Sequence, residues 1–329
     1  MGLPALAGVT MKRFLLAGLL LFALATAQAA EHHLLIVTGI GGTDQYRAQF
    51  EATAKRLQAS AREAGLAEDN IISLGETEDG NNASRASVLA ALSAIAERTA
   101  PGDRVFIVLI GHGNPRGTSA AFNLPGPDLS ATELADALQV FTEQQVVIVN
   151  TASASGPFVI PLSGENRVII TATASGREFH ATLFGDFFVD ALAEPGADTD
   201  KDARVSMLEA FEYARHEVRR AFDSDKKLLT EHAMLDDNGD GSGSREPDPF
   251  RGDGALAQRI HLQQPPLQAL GASAELVAMS ERKQALEDAI DVLRRERESY
   301  THEDYYSRLE ALLVELALLA RDMRAEGES

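Results

Sequence analysis

The chain has 329 residues, 45% of them hydrophobic, enough for one sizeable core with an appendage or for two modest domains. A formal net charge of -19 argues against a nucleic-acid partner and for a self-repelling surface. The absence of any cysteine excludes disulfides, thiolate metal sites and a thiol nucleophile together.

The first segment reads as a secretory leader, residues 1–29. Lys12 and Arg13 form a basic start, Phe14 to Ala25 is apolar, and Ala27-Gln28-Ala29 is a small-x-small cleavage site. The mature chain is expected to begin near Ala30, with Met11 as the alternative translation start, since "MGLPALAGVT" fits no part of a leader. No later segment is apolar enough to cross a bilayer. The expectation is an exported protein, periplasmic or secreted, with no membrane span after cleavage.

Strand and helix then alternate. "HHLLIVTGIGG" (32–42) is an apolar run entering a glycine loop, and "DQYRAQFEATAKRLQASAREAG" carries apolar residues at helical spacing up to Gly65. "NIISLGE" gives a second strand, and "NASRASVLAALSAIAERTAPGD" a helix capped by Asn82 or Ser84. "RVFIVLIGHG" is a third strand. "DLSATELADALQVF" is a helix with Ser130 and Glu133 as a capping box. "QQVVIVNTASASG" and "NRVIITATASG" are the fourth and fifth strands. Uniformly apolar strands alternating with helices predict an α/β fold, a three-layer α/β/α sandwich around a mainly parallel sheet, over residues 30–262. The loops Gly39–Gly42, Gly111–Gly113, Thr151–Gly156 and Thr171–Gly176 all follow strand ends, where such sheets bind ligands.

Residues 263–273, rich in Pro and Gln, read as a linker. Over 274–326, Met279, Leu286, Ile290 and Leu293, then Leu309, Leu312, Leu316, Leu319 and Met323, keep helical spacing. Thr301 is a candidate cap for the second run. The pattern predicts an α-helical hairpin with a coiled-coil-like seam, whose stripe serves either its own interface or self-association.

Two strand ends carry chemistry. His112 lies between glycines at the end of the third strand, where an imidazole is unshielded and suited to base catalysis. Ser153 ends the fourth strand, one βαβ unit later, so both residues should meet at one sheet edge as a base and a nucleophile. Ser155 is the neighbouring hydroxyl, with the turn at Gly156-Pro157 as its structural reading.

In "VFIVLIGHG" and "VVIVNTAS", followed by Ala152–Gly156 and "VIITAT", the chain resembles the caspase-like (clan CD) cysteine peptidases, in particular the legumain (C13) branch. The resemblance spans roughly Leu34 to Asp237, and "DTDKDARVSMLEAFEYA" is similar to an acidic loop and helix of bacterial relatives. It implies that His112 takes the catalytic histidine position, that Ser153 stands where the family has its cysteine, and that Gly113 and Ser155 are substrate-binding candidates. A site built for a thiolate–imidazolium pair need not activate a serine hydroxyl, and no orienting carboxylate is identifiable from sequence. The resulting expectation is a pseudopeptidase that binds peptide or protein without cleavage. The alternatives are a serine-dependent peptidase or esterase using Ser153 and His112, and an envelope scaffold acting through the hairpin.

No cofactor is expected to be required, but one loop is a candidate calcium site. Asp198, Asp200 and Asp202 occupy positions 1, 3 and 5 of a twelve-residue EF-hand-like loop, with Ser206 at 9 and Glu209 at 12. Ala203 replaces the usual glycine. A second acidic stretch, Asp236, Asn238, Asp240 and Gly241, has Pro247 at its twelfth position and reads as a turn-rich surface loop.

Overall fold

The computed structural model describes residues 30–263, apart from 78, 79, 82 and 203, and residues 274–327, apart from 296. The expected leader and nearly all of the expected linker lie outside the described residues, as does Ala203.

The apolar runs fold as read, with short additions between them. β1 (His32–Thr38) leads to α1 (Asp44–Glu63), which Thr43 caps by accepting the Tyr46 N–H. β2 (Ile71–Leu74), the two-residue strands β3 (Glu76–Thr77) and β4 (Gly80–Asn81), and α2 (Arg85–Ala96) follow. Ser84 caps α2, resolving the choice between it and Asn82. β5 (Arg104–Ile110) runs into three short strands, β6 (Gly113–Arg116), β7 (Ser119–Phe122) and β8 (Leu129–Ser130). α3 (Ala131–Ala137) starts with the Ser130–Glu133 capping box. Then come β9 (Gln145–Asn150), α4 (Val159–Leu162), β10 (Arg167–Thr171), α5 (Phe184–Ala191), α6 (Met207–Ser224) and β11 (Met234–Asp236).

The main sheet has the order β11-β10-β9-β5-β1-β2. All its pairings are parallel except β10 with β11, which registers Ile169 opposite Asp236. Alternate residues of each strand enter opposite layers. Leu34, Ile36, Phe106 and Val108 pack with α1, α5 and α6, while Leu35, Val37, Val105 and Ile107 pack with α2, α3 and α4. Both faces are therefore covered, which is why the strands are apolar throughout rather than alternating. Each such buried side chain contributes roughly 1.5–3 kcal/mol of transfer free energy. The glycine-bearing loops after β1, β5, β9 and β10 consequently leave one edge of the sheet, with β5 between β1 and β9.

The C-terminal helices α7 (Ala274–Arg295) and α8 (His302–Gly327) pack on each other, joined by the Arg282–Glu315 ion pair at 2.5 Å. Leu286, Ile290 and Leu293 are buried, and Thr301 Oγ1 accepts the Asp304 N–H at 3.2 Å as a cap. Among the described residues no helix is long and apolar enough to cross a membrane.

Candidate functional site

β5 and β9 are hydrogen-bonded parallel neighbours with Leu109 opposite Asn150, so the loops carrying His112 and Ser153 leave the sheet side by side. The strand alternation then decides where each side chain goes. Phe106, Val108 and Ile110 face α1, and His112 continues that series. Its ring stands edge-on to Tyr46 and Phe50 of α1, with centroids 4.6 and 5.0 Å away. Burial holds its pKa below the ordinary histidine value, favouring the neutral ring. The recess it lines has a volume of only about 20 Å³, roughly the room one water needs.

A carboxylate does stand in that recess. Asp186, at the start of α5, lines it together with His112. Its oxygens are already engaged: they accept from Gln49 Nε2 at 2.8 Å, from Arg56 Nη2 at 2.7 Å, and from the Thr53 hydroxyl. Among the described residues no hydrogen bond joins the His112 ring to Asp186 or to Ser153.

Ser153 instead meets the residue beside the histidine. Its Oγ accepts the Gly113 N–H at 3.2 Å and donates to the Gly113 carbonyl at 3.1 Å. The side chain is buried, with the residue 2% exposed. A Cβ on Gly113 would lie 2.4 Å from the Ser153 carbonyl oxygen, so the close approach of the two loops requires glycine there. Beyond Ser153 the chain turns through Ala154, left-handed at φ 53°, whose N–H donates to the Glu178 carbonyl at 2.8 Å.

Ser155 is turned fully inward. It shares a 3.1 Å hydrogen bond with the Thr173 hydroxyl and accepts the Thr173 N–H at 3.2 Å, tying the β9 loop to the β10 loop. Thr173 Oγ1 also accepts the Gly156 N–H at 3.1 Å. The two hydroxyls, read from sequence as alternatives, thus fasten the same turn on opposite sides.

The structure brings together three of the four carboxylates of the candidate calcium loop. Oxygens of Asp198, Asp200 and Asp202 lie within 4.8 Å of one another. Burial, with the neighbouring carboxylates Asp202, Glu209 and Asp198, pushes the Asp200 pKa up. Glu209 is not gathered with them. Its Oε1 accepts the Thr199 N–H and hydroxyl, both at 2.8 Å, and its Oε2 accepts the Ser206 N–H and hydroxyl, both at 2.9 Å. Burial raises its pKa, but these hydrogen bonds outweigh that and hold it below the usual range. The Ser206–Glu209 spacing that fits positions 9 and 12 of a cation loop is equally a capping box for α6, and the box is what forms. The second acidic stretch folds as successive turns, with Asp240 N–H on Asn238 Oδ1 and Ser242 N–H on Asp240 Oδ1.

Sequence reasoning missed two exposed apolar residues on the loop edge, Ile40 after β1 and Phe179 after β10. A lone apolar residue set among glycines, as in "GIGG", was the available signal for the first.

Residues 87–234, which contain both His112 and Ser153, match the Peptidase C13 family. Over that stretch, which holds both strand ends of the site, the chain is similar to the C13 peptidases. Curated proteins give no match to the chain. Solved structures similar to it include protein GSU0716 from Geobacter sulfurreducens, at 15% identity and a TM-score of 0.45, covering 72% of this chain and 98% of that one. The Drosophila initiator caspase Dronc is similar at 13% identity and a TM-score of 0.44, covering 63% of this chain and 79% of that one. In this chain the residue after His112, Gly113, has both backbone polar groups engaged by the Ser153 hydroxyl.

Proposed function

We propose that this protein is an exported, non-cleaving member of the caspase-like group, a pseudopeptidase that binds a peptide or protein segment at the loop edge. One observation carries the reading: the Ser153 hydroxyl is buried and bonded at both its donor and an acceptor position to Gly113, while the His112 ring is packed against Tyr46 and Phe50. A nucleophilic hydroxyl needs a base within hydrogen-bond reach and a free line of approach, and a stabilising donor for the oxyanion. Here the nearest backbone donor, the Gly113 N–H, points at the hydroxyl itself. Ile40 and Phe179, exposed on the loops after β1 and β10, supply apolar contact for the bound segment.

Export rests on the leader-like stretch before Ala30, and places the protein in the periplasm or outside the cell. The Asp198–Asp200–Asp202 group is the proposed calcium site, without Glu209 as a ligand. Exposed Val292, Leu313, Val314 and Leu318 on α7 and α8 support self-association through the hairpin. The test is hydrolysis of a panel of peptide and ester substrates by the full mature chain and by Ser153→Ala. Equal background rates support the reading; turnover lost in Ser153→Ala establishes the serine-hydrolase alternative.

A further inference from the structure

A cavity of about 590 Å³ opens between α6 and the segment on either side of β11, away from the Ser153 turn, none of whose residues line it. That volume falls in the range of small-molecule sites, roughly 300–1,000 Å³. Phe184, Val218, Leu229 and Ala233 give it apolar walls. Arg215 and Arg219, one helical turn apart on α6, face it together with Arg245 from beyond β11.

Three arginines line this one cavity in a chain of net charge -19. Of the two acidic residues of the lining, one forms an ion pair with an arginine, and Glu212 on α6 also interacts with Arg215. Glu231 turns its carboxylate onto the Leu183 and Phe184 N–H groups at the start of α5, at 2.8–3.1 Å. Glu246 is exposed and takes only Arg215 Nη1, at 3.3 Å. His232, also in the lining, has its Nδ1 3.4 Å from Glu178 Oε1. Arg215 Nε is buried with no hydrogen-bond partner. Arg219 and Arg245 have no ion-pair partner among the described residues. An apolar chamber lined by the buried, unpartnered Nε of Arg215 and by two exposed arginines is complementary to a molecule with an apolar body and a carboxylate head, which a guanidinium receives in bidentate fashion.

We infer that this cavity is a binding site for a small free carboxylic acid with an apolar body, such as a medium-chain fatty acid, held by Arg215 with Arg219 and Arg245. The apolar part lies against Phe184, Val218 and Leu229, and the carboxylate meets the arginines. The site is independent of whether Ser153 is reactive.

Isothermal titration of the full mature chain with decanoate, below its micellar concentration, tests the inference. The expected result is one saturable site, with neutral decanol bound at least about tenfold more weakly because it lacks the charge-assisted hydrogen bonds. The double variant Arg219→Gln/Arg245→Gln alters two exposed side chains and should fold normally, while weakening decanoate by about tenfold. Arg215→Gln should weaken it further; if that variant does not fold, the exposed pair decides. No saturable binding up to millimolar decanoate, equal binding of decanol, or unchanged affinity in the double variant would overturn the inference.

Discussion

The Ser153 hydroxyl and the Gly113 backbone form a closed pair of hydrogen bonds, 3.2 Å from the Gly113 nitrogen and 3.1 Å to its carbonyl. The pair joins the ends of β5 and β9 where the strands leave the sheet. A serine so placed acts as a staple between two loops, and a staple has consequences for stability that a surface nucleophile lacks.

Ser153→Ala should therefore destabilise the fold. It leaves the Gly113 N–H and carbonyl without that partner in a partly buried setting, at a cost of roughly 1 kcal/mol. Urea unfolding should show a lower midpoint with an unchanged slope. A midpoint equal to wild type would mean that the hydrogen-bond pair contributes nothing.

Ser153→Cys tests the geometry from the other side. The thiol would still face Gly113, and the His112 ring would still face α1. The variant should show no peptide turnover and slow alkylation, because the position is buried. Rapid alkylation together with peptidase activity would show that the loops rearrange readily into a working dyad.

The alternation of strand and helix, the parallel sheet, the loop edge and the capping box at Ser130 were all legible in sequence, since each follows from apolar periodicity or a local spacing. The direction of the His112 ring was not: it depends on which layer the even-numbered residues of β5 face, and only the packing of Phe106, Val108 and Ile110 against α1 sets that. Asp186 was equally hidden, because it comes to His112 from α5, far along the chain. Glu209 satisfied two local patterns at once, and its tertiary partner Thr199 shows which one governs the carboxylate.

Glu231 makes a pH prediction. Burial raises its pKa to about 7, against hydrogen bonds from Leu183 and Phe184 that lower it. The folded state thus holds the proton more tightly than the unfolded chain, whose glutamate titrates near 4.5. Its contribution to stability is present at low pH and is lost as pH rises from about 4.5 through about 7, by at most about 1.4 kcal/mol per pH unit. Asp253, raised to about 6 chiefly by burial, acts in the same sense. His32 and His261, lowered to about 4 chiefly by burial, act oppositely, adding stability as pH rises from about 4 to 6.5. The Glu231 effect is read as a difference: the melting temperature of Glu231→Gln should gain on wild type as pH rises through this window. A constant difference across it would contradict the shift.

Calcium should raise the melting temperature at millimolar concentration, because binding to the native state alone stabilises it. Asp198→Asn/Asp200→Asn should lose the response, whereas Glu209→Gln should keep it and instead lower stability in the absence of the ion, since its carboxylate caps α6. Absence of any shift in wild type would remove the cation site.

The hairpin prediction concerns assembly. Truncation after Pro266 removes α7 and α8 with their exposed Val292, Leu313 and Leu318. Sedimentation should then report fewer copies per particle than for the full mature chain. The same oligomeric state in both would confine the apolar stripe to the hairpin's own packing.

Ser153 is proposed to be no working nucleophile, and intact-mass analysis after treatment with a fluorophosphonate probe measures this most directly. No adduct is expected on the wild-type chain, with or without calcium. A stoichiometric adduct on wild type that disappears in a folded Ser153→Ala variant would contradict it.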